Sequence, residues 1–157
     1  MKWEFKCILM SDVKAGDTML LKKNGTWFML TNICSANIND FHSELHIFHT
    51  DNLKKSDWKP IASGNPVIFD SRKARNGGFF CSGNNIFRIN QIHGKNHYGK
   101  SFGINLIKKL DKNSYVEERI ENIGANFKKG INSTHHFHAN NEFAVMDFCR
   151  RYSFKQR

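Results

Sequence analysis

Proline is nearly absent from this 157-residue chain, at 2 residues, and no apolar run approaches the roughly 18 residues of a membrane helix. The first fourteen residues, MKWEFKCILMSDVK, lack the uninterrupted apolar core of a signal peptide. A chain without an export signal is expected in the cytoplasm. Cys7, Cys34, Cys81 and Cys149 are widely separated, with no CxxC pair. This spacing excludes a zinc ribbon or a thioredoxin-type motif and predicts buried thiols over disulfides. Acidic residues are also scarce, 14 against 24 Lys and Arg, for a net charge of +10. The basic residues come as scattered pairs: Lys22–Lys23, Lys54–Lys55, Lys108–Lys109, Lys128–Lys129 and Arg150–Arg151. A phosphate-binding surface needs them clustered. No specific nucleic-acid partner is expected, while an anionic ligand stays open.

What the chain has is aromatic and repetitive. Fourteen phenylalanines and an apolar fraction of 39% provide for one domain with a real core. Three segments share a polar Asn/Gly turn followed by an alternating run: KKNGTWFMLTN from Lys22, CSGNNIFRINQ from Cys81 and HANNEFAVMD from His138. The turns are short-hairpin chemistry. Phe28, Phe87 and Phe143 align at spacings of 59 and 56 residues, as differences of those positions. A second match has no gap: His46–Ile61 lies over the first sixteen residues of Gly103–Ile120, with Ile47 on Ile104, Leu53 on Leu110 and Trp58 on Tyr115. Helical periodicity is scarce throughout.

The predicted fold is therefore all-β. A hairpin, a third strand, a polar loop and a fourth strand, repeated every ~57 residues, is the pattern of propeller blades. The alternative is a generic β-sandwich. Blade units are expected at about residues 10–62, 70–123 and 131–157, with residues 1–9 resembling the last strand of a preceding blade. About three blades do not close a ring, so the chain reads as the C-terminal part of a larger one.

These elements carry a family likeness. Trp3–Leu9, GDTMLLKKNGTWFMLTN, ELHIFHTDNLKKSDWKP, ARNGG (Ala74–Gly78), FRINQ (Phe87–Gln91), YGKSFGI, YVEE, STHHFHA and FAVMDFCRR resemble the N-terminal propeller domain of plant glucosamine inositolphosphorylceramide transferases. The resemblance implies a five-bladed propeller of the arabinanase and invertase type, of which this chain would hold about three blades. It also implies a role beside glycan or glycolipid synthesis. The expected partners are a sugar or glycolipid ligand, together with the missing N-terminal blades or a transferase domain.

The hairpin SRKARNGGFFCSGNNIFRINQ, Ser71–Gln91, places Arg75, Arg88 and Gln91 among Phe79, Phe80, Ile86, Phe87 and Ile89. A sheet face packed on a core excludes such groups, whereas a strand lining a propeller channel does not. Asp17, Arg75 and His135 or His136 each precede or begin a first strand, so they are expected to converge at one end of that channel. Arg88 and Gln91 would come close from the neighbouring strand, Gly77 and Gly78 would admit backbone or ligand, and Tyr98 would offer a platform to a sugar ring. Guanidinium, amide and carboxylate groups suit sugar hydroxyls and carboxylates. The competing reading pairs Arg75 and Arg88 with Asp70, Asp17 or Glu117 as buried structural ions.

His135, His136 and His138, His46 with His49, and His93 with His97 have ligand-like spacings. Strand alternation puts His46 and His49 on opposite faces, and no carboxylate or cysteine lies near HHFH in sequence, so no metal and no cofactor are expected. A sugar-recognition module is favoured over a hydrolase of the same fold. Hydrolysis needs two facing carboxylates. Asp17 is one candidate, with Asp70 and Asp147 as possible seconds.

Overall fold

The computed structural model describes residues 2–35, 40–55 and 57–150. It is all-β: among the described residues the only helical element is a single 3₁₀ turn, Ala125–Phe127. Two antiparallel meanders make up most of it. The first comprises β1 (Ala15–Lys23), β2 (Thr26–Ile33), β3 (Glu44–Thr50) and β4 (Lys59–Pro60), with β5 (Ile68–Phe69) also on β3. The second runs in order through β6 (Asn76–Ser82), β7 (Asn85–Gly94), β8 (His97–Leu110) and β9 (Tyr115–Gly124). Then β10 (Ile131–Ser133) pairs β13 (Cys149–Arg150), and β11 (Phe137–Ala139) pairs β12 (Ala144–Met146). These two ladders are nested, forming one interrupted hairpin.

Turn chemistry sets the registers. Asn24 and Gly25 both have positive φ, 49° and 81°, the two-residue turn whose twist suits a hairpin. It places Leu21 opposite Phe28. The Gly83 turn places Phe80 opposite Phe87, the same distance from its apex. Phe28 then faces His49, and Phe87 faces Leu106. The sequence repeat is thus a repeat of pairing through three strands. One core cluster draws on both meanders, from Leu21, Phe28, Leu30, Leu45 and Ile47 to Ile107 and Leu110.

Beyond the third strand the units diverge. Leu110 pairs directly with Tyr115 across a tight turn. Its sequence counterpart Leu53 lies in a turn between β3 and β4, outside any strand. The first meander's fourth strand is also split, because β4 and β5 pair with different parts of β3. Asn65 fills the gap: its Oδ1 accepts from Ile47 N at 2.8 Å, and its Nδ2 donates to Ile47 O at 3.0 Å. A side-chain amide thereby replaces one rung of the ladder.

Two expectations about strands are corrected. Phe143 is not the counterpart of Phe28 and Phe87. It sits in a four-residue turn, 58% exposed, where its N–H is held by Asn140 Oδ1 at 2.9 Å. Trp3–Leu9 forms no strand: none of the described strands pairs with it, and Trp3 and Phe5 are exposed. An alternating pattern needs a neighbour for its ladder.

Candidate functional site

The first strand of each unit is interrupted at its inner part. In β1 the register slips between Gly16 and Met19, with Asp17 at φ 48°. In β6 it slips between Asn76 and Gly78, with Gly78 at φ 117°. In the third hairpin the break lies between Ser133 and Phe137 and contains His135 and His136. Bulges of this kind re-aim side chains. β6 packs against β1 on one side and β11 on the other, so the three breaks meet. The approach is close enough to require glycine. A Cβ at Gly77 would stand 2.5 Å from His135 O, and one at Gly78 would collide with Phe137 O.

Asp17 is the hub. Its Oδ2 accepts from Arg75 Nε at 2.6 Å and from Gln91 Nε2 at 3.3 Å, while its backbone carbonyl takes Asn76 Nδ2 at 3.0 Å. Gln91 Nε2 also donates to Asn76 O at 2.6 Å. Arg75 Nη1 lies 3.0 Å from Nδ1 of His42, and its guanidinium carbon sits 5.7 Å from the Tyr98 ring centre. From there a row of rings extends. His42 meets His93 edge-on at 4.5 Å, His93 stacks on Tyr98 at 4.7 Å, and Tyr98 meets His135 at 4.9 Å. Asp147 closes the row: its Oδ2 pairs with His135 Nδ1, and its Oδ1 accepts the N–H groups of His135 and His136 at 2.9 and 2.8 Å. Asp147 therefore shapes the break that brings these histidines inward.

Burial sets the electrostatics. His93 is depressed to about 4, first by burial and then by repulsion from His42 and Arg75. Burial, followed by Arg75, lowers His42 in the same way. His136 is lowered by burial against the opposing pull of Asp147. Beside the cluster lies an open pocket of about 310 Å³, whose walls include Asp17, Asn76, Gly78, His136 and His138.

Asp17, Arg75, Gln91, Tyr98 and His135 thus come together, and His136 lines the adjoining pocket. Tyr98 is 57% exposed, but one face of its ring is already taken by His93. Arg88 is placed elsewhere. It is 0% exposed, and all five of its N–H donors are used, on Glu117 Oε1 and Oε2, Ala74 O, Asn76 Oδ1 and Lys73 O. It lines no open site, because strand alternation turns it to the opposite face of β7 from Gln91. His42 and His93 complete the cluster without having been assigned to it from sequence, and Asp147, expected only as a possible second carboxylate to Asp17, joins them through His135. His93 was legible only as half of a His93–His97 spacing, and His97 instead meets Asn132 O at 2.9 Å. The hairpin break that folds Asp147 back onto His135 and His136 leaves no sequence signature. Among the described residues no group of three or more His, Cys, Asp or Glu is arranged to hold a metal ion.

Residues 1–147 match the family described as glucosamine inositolphosphorylceramide transferase 1, N-terminal. The chain belongs to this family. No curated protein and no solved structure matches it. Membership covers every residue of the cluster, from Asp17 to Asp147, and every described strand except β13. A domain of a glycolipid glycosyltransferase family, all-β and with this polar cluster between its sheets, is the frame for the site.

Proposed function

We propose that this domain is a carbohydrate-recognition module of propeller type, serving glycan or glycolipid synthesis, with the Asp17–Arg75–Gln91 cluster as its site. The blade units are those at about 10–62, 70–123 and 131–157, the last running into residues 151–157, outside the described part. Three interrupted first strands packed side by side support the propeller reading, since channel-lining strands meet around one axis. The sugar reading rests chiefly on Arg75. Its Nε is fixed by Asp17 and its Nη1 by His42, while Nη2 has no protein partner among the described residues. An oriented guanidinium edge with free donors is a recognition element for oxygen-rich ligands. The family's naming for a glycolipid glycosyltransferase points the same way. In this reading the ligand is a sugar or glycolipid, and the protein partners are a transferase domain or further blades.

The alternative, a hydrolase of the same fold, gains a second carboxylate in Asp147. However, Asp17 Oδ2 and both oxygens of Asp147 already take protein donors. Both groups serve to tie the cluster together, Asp17 through Arg75 and Asp147 through His135, and binding is the better reading. A glycan array probed with wild type and Arg75→Ala, alongside thermal melts, tests it. The expected result is binding by wild type, lost in the variant with little change in melting temperature. A large melting loss in a protein that binds no glycan overturns the proposal.

A further inference from the structure

Arg88 and Asn105 face each other across β7 and β8, at the place that Met29 and Phe48 hold in the first meander. The strand pairing needs no charge there. Next on the same face Asn90 lies opposite Gly103, and on β9 Arg119 lies opposite Asn105. The second meander thus carries a polar, cationic face that the first lacks.

Arg119 lies against the bare backbone of Gly103, where an added Cβ would stand 2.4 Å from the guanidinium carbon. Three asparagines hold it. Its Nε donates to Asn105 Oδ1 at 2.7 Å, its Nη2 to Asn90 Oδ1 at 2.6 Å, and its Nη1 to Asn122 Oδ1. All three acceptors are neutral amides, and one N–H on each Nη is left over. Among the described residues Arg119 has no carboxylate partner. Glu117 is taken by Arg88 and Tyr115, and Asp70 pairs with Arg72 and Lys73. Burial lowers the pKa of Arg119, and the opposing pull of Glu117 does not restore it.

This guanidinium lines an open cavity of about 530 Å³ between β5 and β9, with Lys73, Asn105 and Glu117 also in its walls and Ile68 and Val116 as apolar surface. The sheet positions Lys73 as well. Asn90 Nδ2 donates to Arg72 O at 2.9 Å, and Arg88 Nη2 donates to Lys73 O at 2.7 Å. The asparagine that orients Arg119 therefore also anchors the turn that carries Lys73. Lys73 Nζ stands 3.8 Å from Asp70 Oδ2, beyond hydrogen-bond distance. Three cations, Lys73, Arg88 and Arg119, stand against two carboxylates, Asp70 and Glu117. The cavity shares no lining residue with the Asp17 cluster.

We propose that this cavity binds the phosphate group of a phosphate ester, with the two free N–H groups of Arg119 and the ammonium of Lys73 as donors. A phosphate offers several oxygens to donors arriving from different sides, and a guanidinium fork beside a lysine matches that geometry. Its charge supplies the counter-ion that Arg119 lacks, in a setting partly shielded from water. Ile68 and Val116 give surface to the carbon portion of the ester. The same chemistry has two sources, a water-soluble phosphate ester and a phospholipid headgroup. This site is separate from the proposed sugar site and stands whether or not that site binds a glycan.

The test is calorimetric titration of inorganic phosphate and glycerol 3-phosphate into wild type, Arg119→Gln, Lys73→Gln and Lys54→Gln. Lys54 is an exposed lysine outside the cavity and controls for net charge. Both ligands should bind wild type and Lys54→Gln alike, about tenfold more weakly to Arg119→Gln and about fivefold more weakly to Lys73→Gln. The Lys73 side chain makes no hydrogen bond among the described residues, so Lys73→Gln should melt like wild type and keeps the test independent of folding. Co-sedimentation with phosphatidylcholine vesicles, with and without phosphatidylglycerol, separates the sources. Capture by the anionic vesicles that Arg119→Gln abolishes supports a headgroup, and phosphate binding without capture supports a soluble ester. Absence of phosphate binding, equal weakening in all three variants, or an affinity untouched by Arg119→Gln and Lys73→Gln overturns the proposal and leaves Arg119 a structural bracket.

Discussion

Asn32 and Gln91 occupy the same position in the two meanders, opposite Leu45 and Phe102 respectively, and their side chains face different tasks. Asn32 reaches forward and knits β2 and β3 to the next unit, accepting from Asn76 N at 2.8 Å while donating to Ala74 O and Glu44 O. Gln91 reaches back to Asn76 O and Asp17. Its forward counterpart, the N–H of His135, is taken by Asp147. One amide is a structural clamp between units and the other joins the Asp17 cluster.

The difference predicts unequal costs. Asn32→Ala leaves the Asn76 N–H without its acceptor and removes the side-chain donor to Glu44 O and Ala74 O, the latter keeping Arg88 Nη1, and should lower stability by ~3 kcal/mol. Gln91→Leu strands fewer groups and should cost about half as much. Urea unfolding of both variants checks this. Equal losses would mean that Gln91 is a second clamp.

Gly77 and Gly78 should be intolerant of alanine for separate reasons. Gly77 has an ordinary φ, so Gly77→Ala measures only the 2.5 Å approach to His135 O. Gly78→Ala adds the strain of φ 117° to a collision with Phe137 O. We expect ~2 kcal/mol or more for the first and a larger loss for the second. Thermal melts give the order, and either variant should also loosen the third hairpin in hydrogen exchange.

Arg88, Glu117 and Tyr115 form a buried unit, with Arg88 bonded to Glu117 at 2.7 and 2.8 Å and the Tyr115 hydroxyl donating to Glu117 Oε2. Burial opposes charge on both ions, but their mutual attraction prevails: Glu117 is held below the usual carboxylate range and Arg88 stays protonated. Glu117→Gln leaves the guanidinium without a counter-charge and should cost about 3–5 kcal/mol. Tyr115→Phe removes one donor and should cost ~1–2 kcal/mol. Denaturant unfolding of the two variants measures both losses.

Local chemistry explains what could be read from the sequence. The Asn24–Gly25 turn, the Gly83 turn and the alternation around Phe28 and Phe87 determine pairing over a few residues, and the sequence repeat carried them into register. The fourth strand was less legible, because the Asn65 amide stands in for backbone pairing and nothing near Asn65 announces it. Arg75 and Arg88 looked alike in sequence. Alternation along β7 turns Arg88 away from Gln91 and Glu117, 29 residues on, locks it inside, whereas Arg75, just before β6, pairs with Asp17 in the cluster. Asp147 and His93 required the tertiary meeting of three interrupted strands, which no short window contains.

The histidines make stability depend on pH. His93 is lowered to about 4 in the folded protein, and His42, His49 and His136 are lowered as well, each chiefly by burial. In the unfolded chain they titrate near ~6.5. Between pH 6.5 and about 4 the unfolded state therefore binds more protons than the folded state, and stability rises with pH across that window. Acidification from pH 7 should lower the urea midpoint steadily, before most carboxylates titrate. His93 has the largest resolved shift, so His93→Phe should flatten this slope without abolishing it, since His42, His49 and His136 remain. Urea midpoints for wild type and variant at half-unit steps from pH 4 to 7.5 measure it. A flat wild-type profile would mean that these rings reach water in their charged forms, and the closed packing of His42, His93 and Tyr98 would then be wrong.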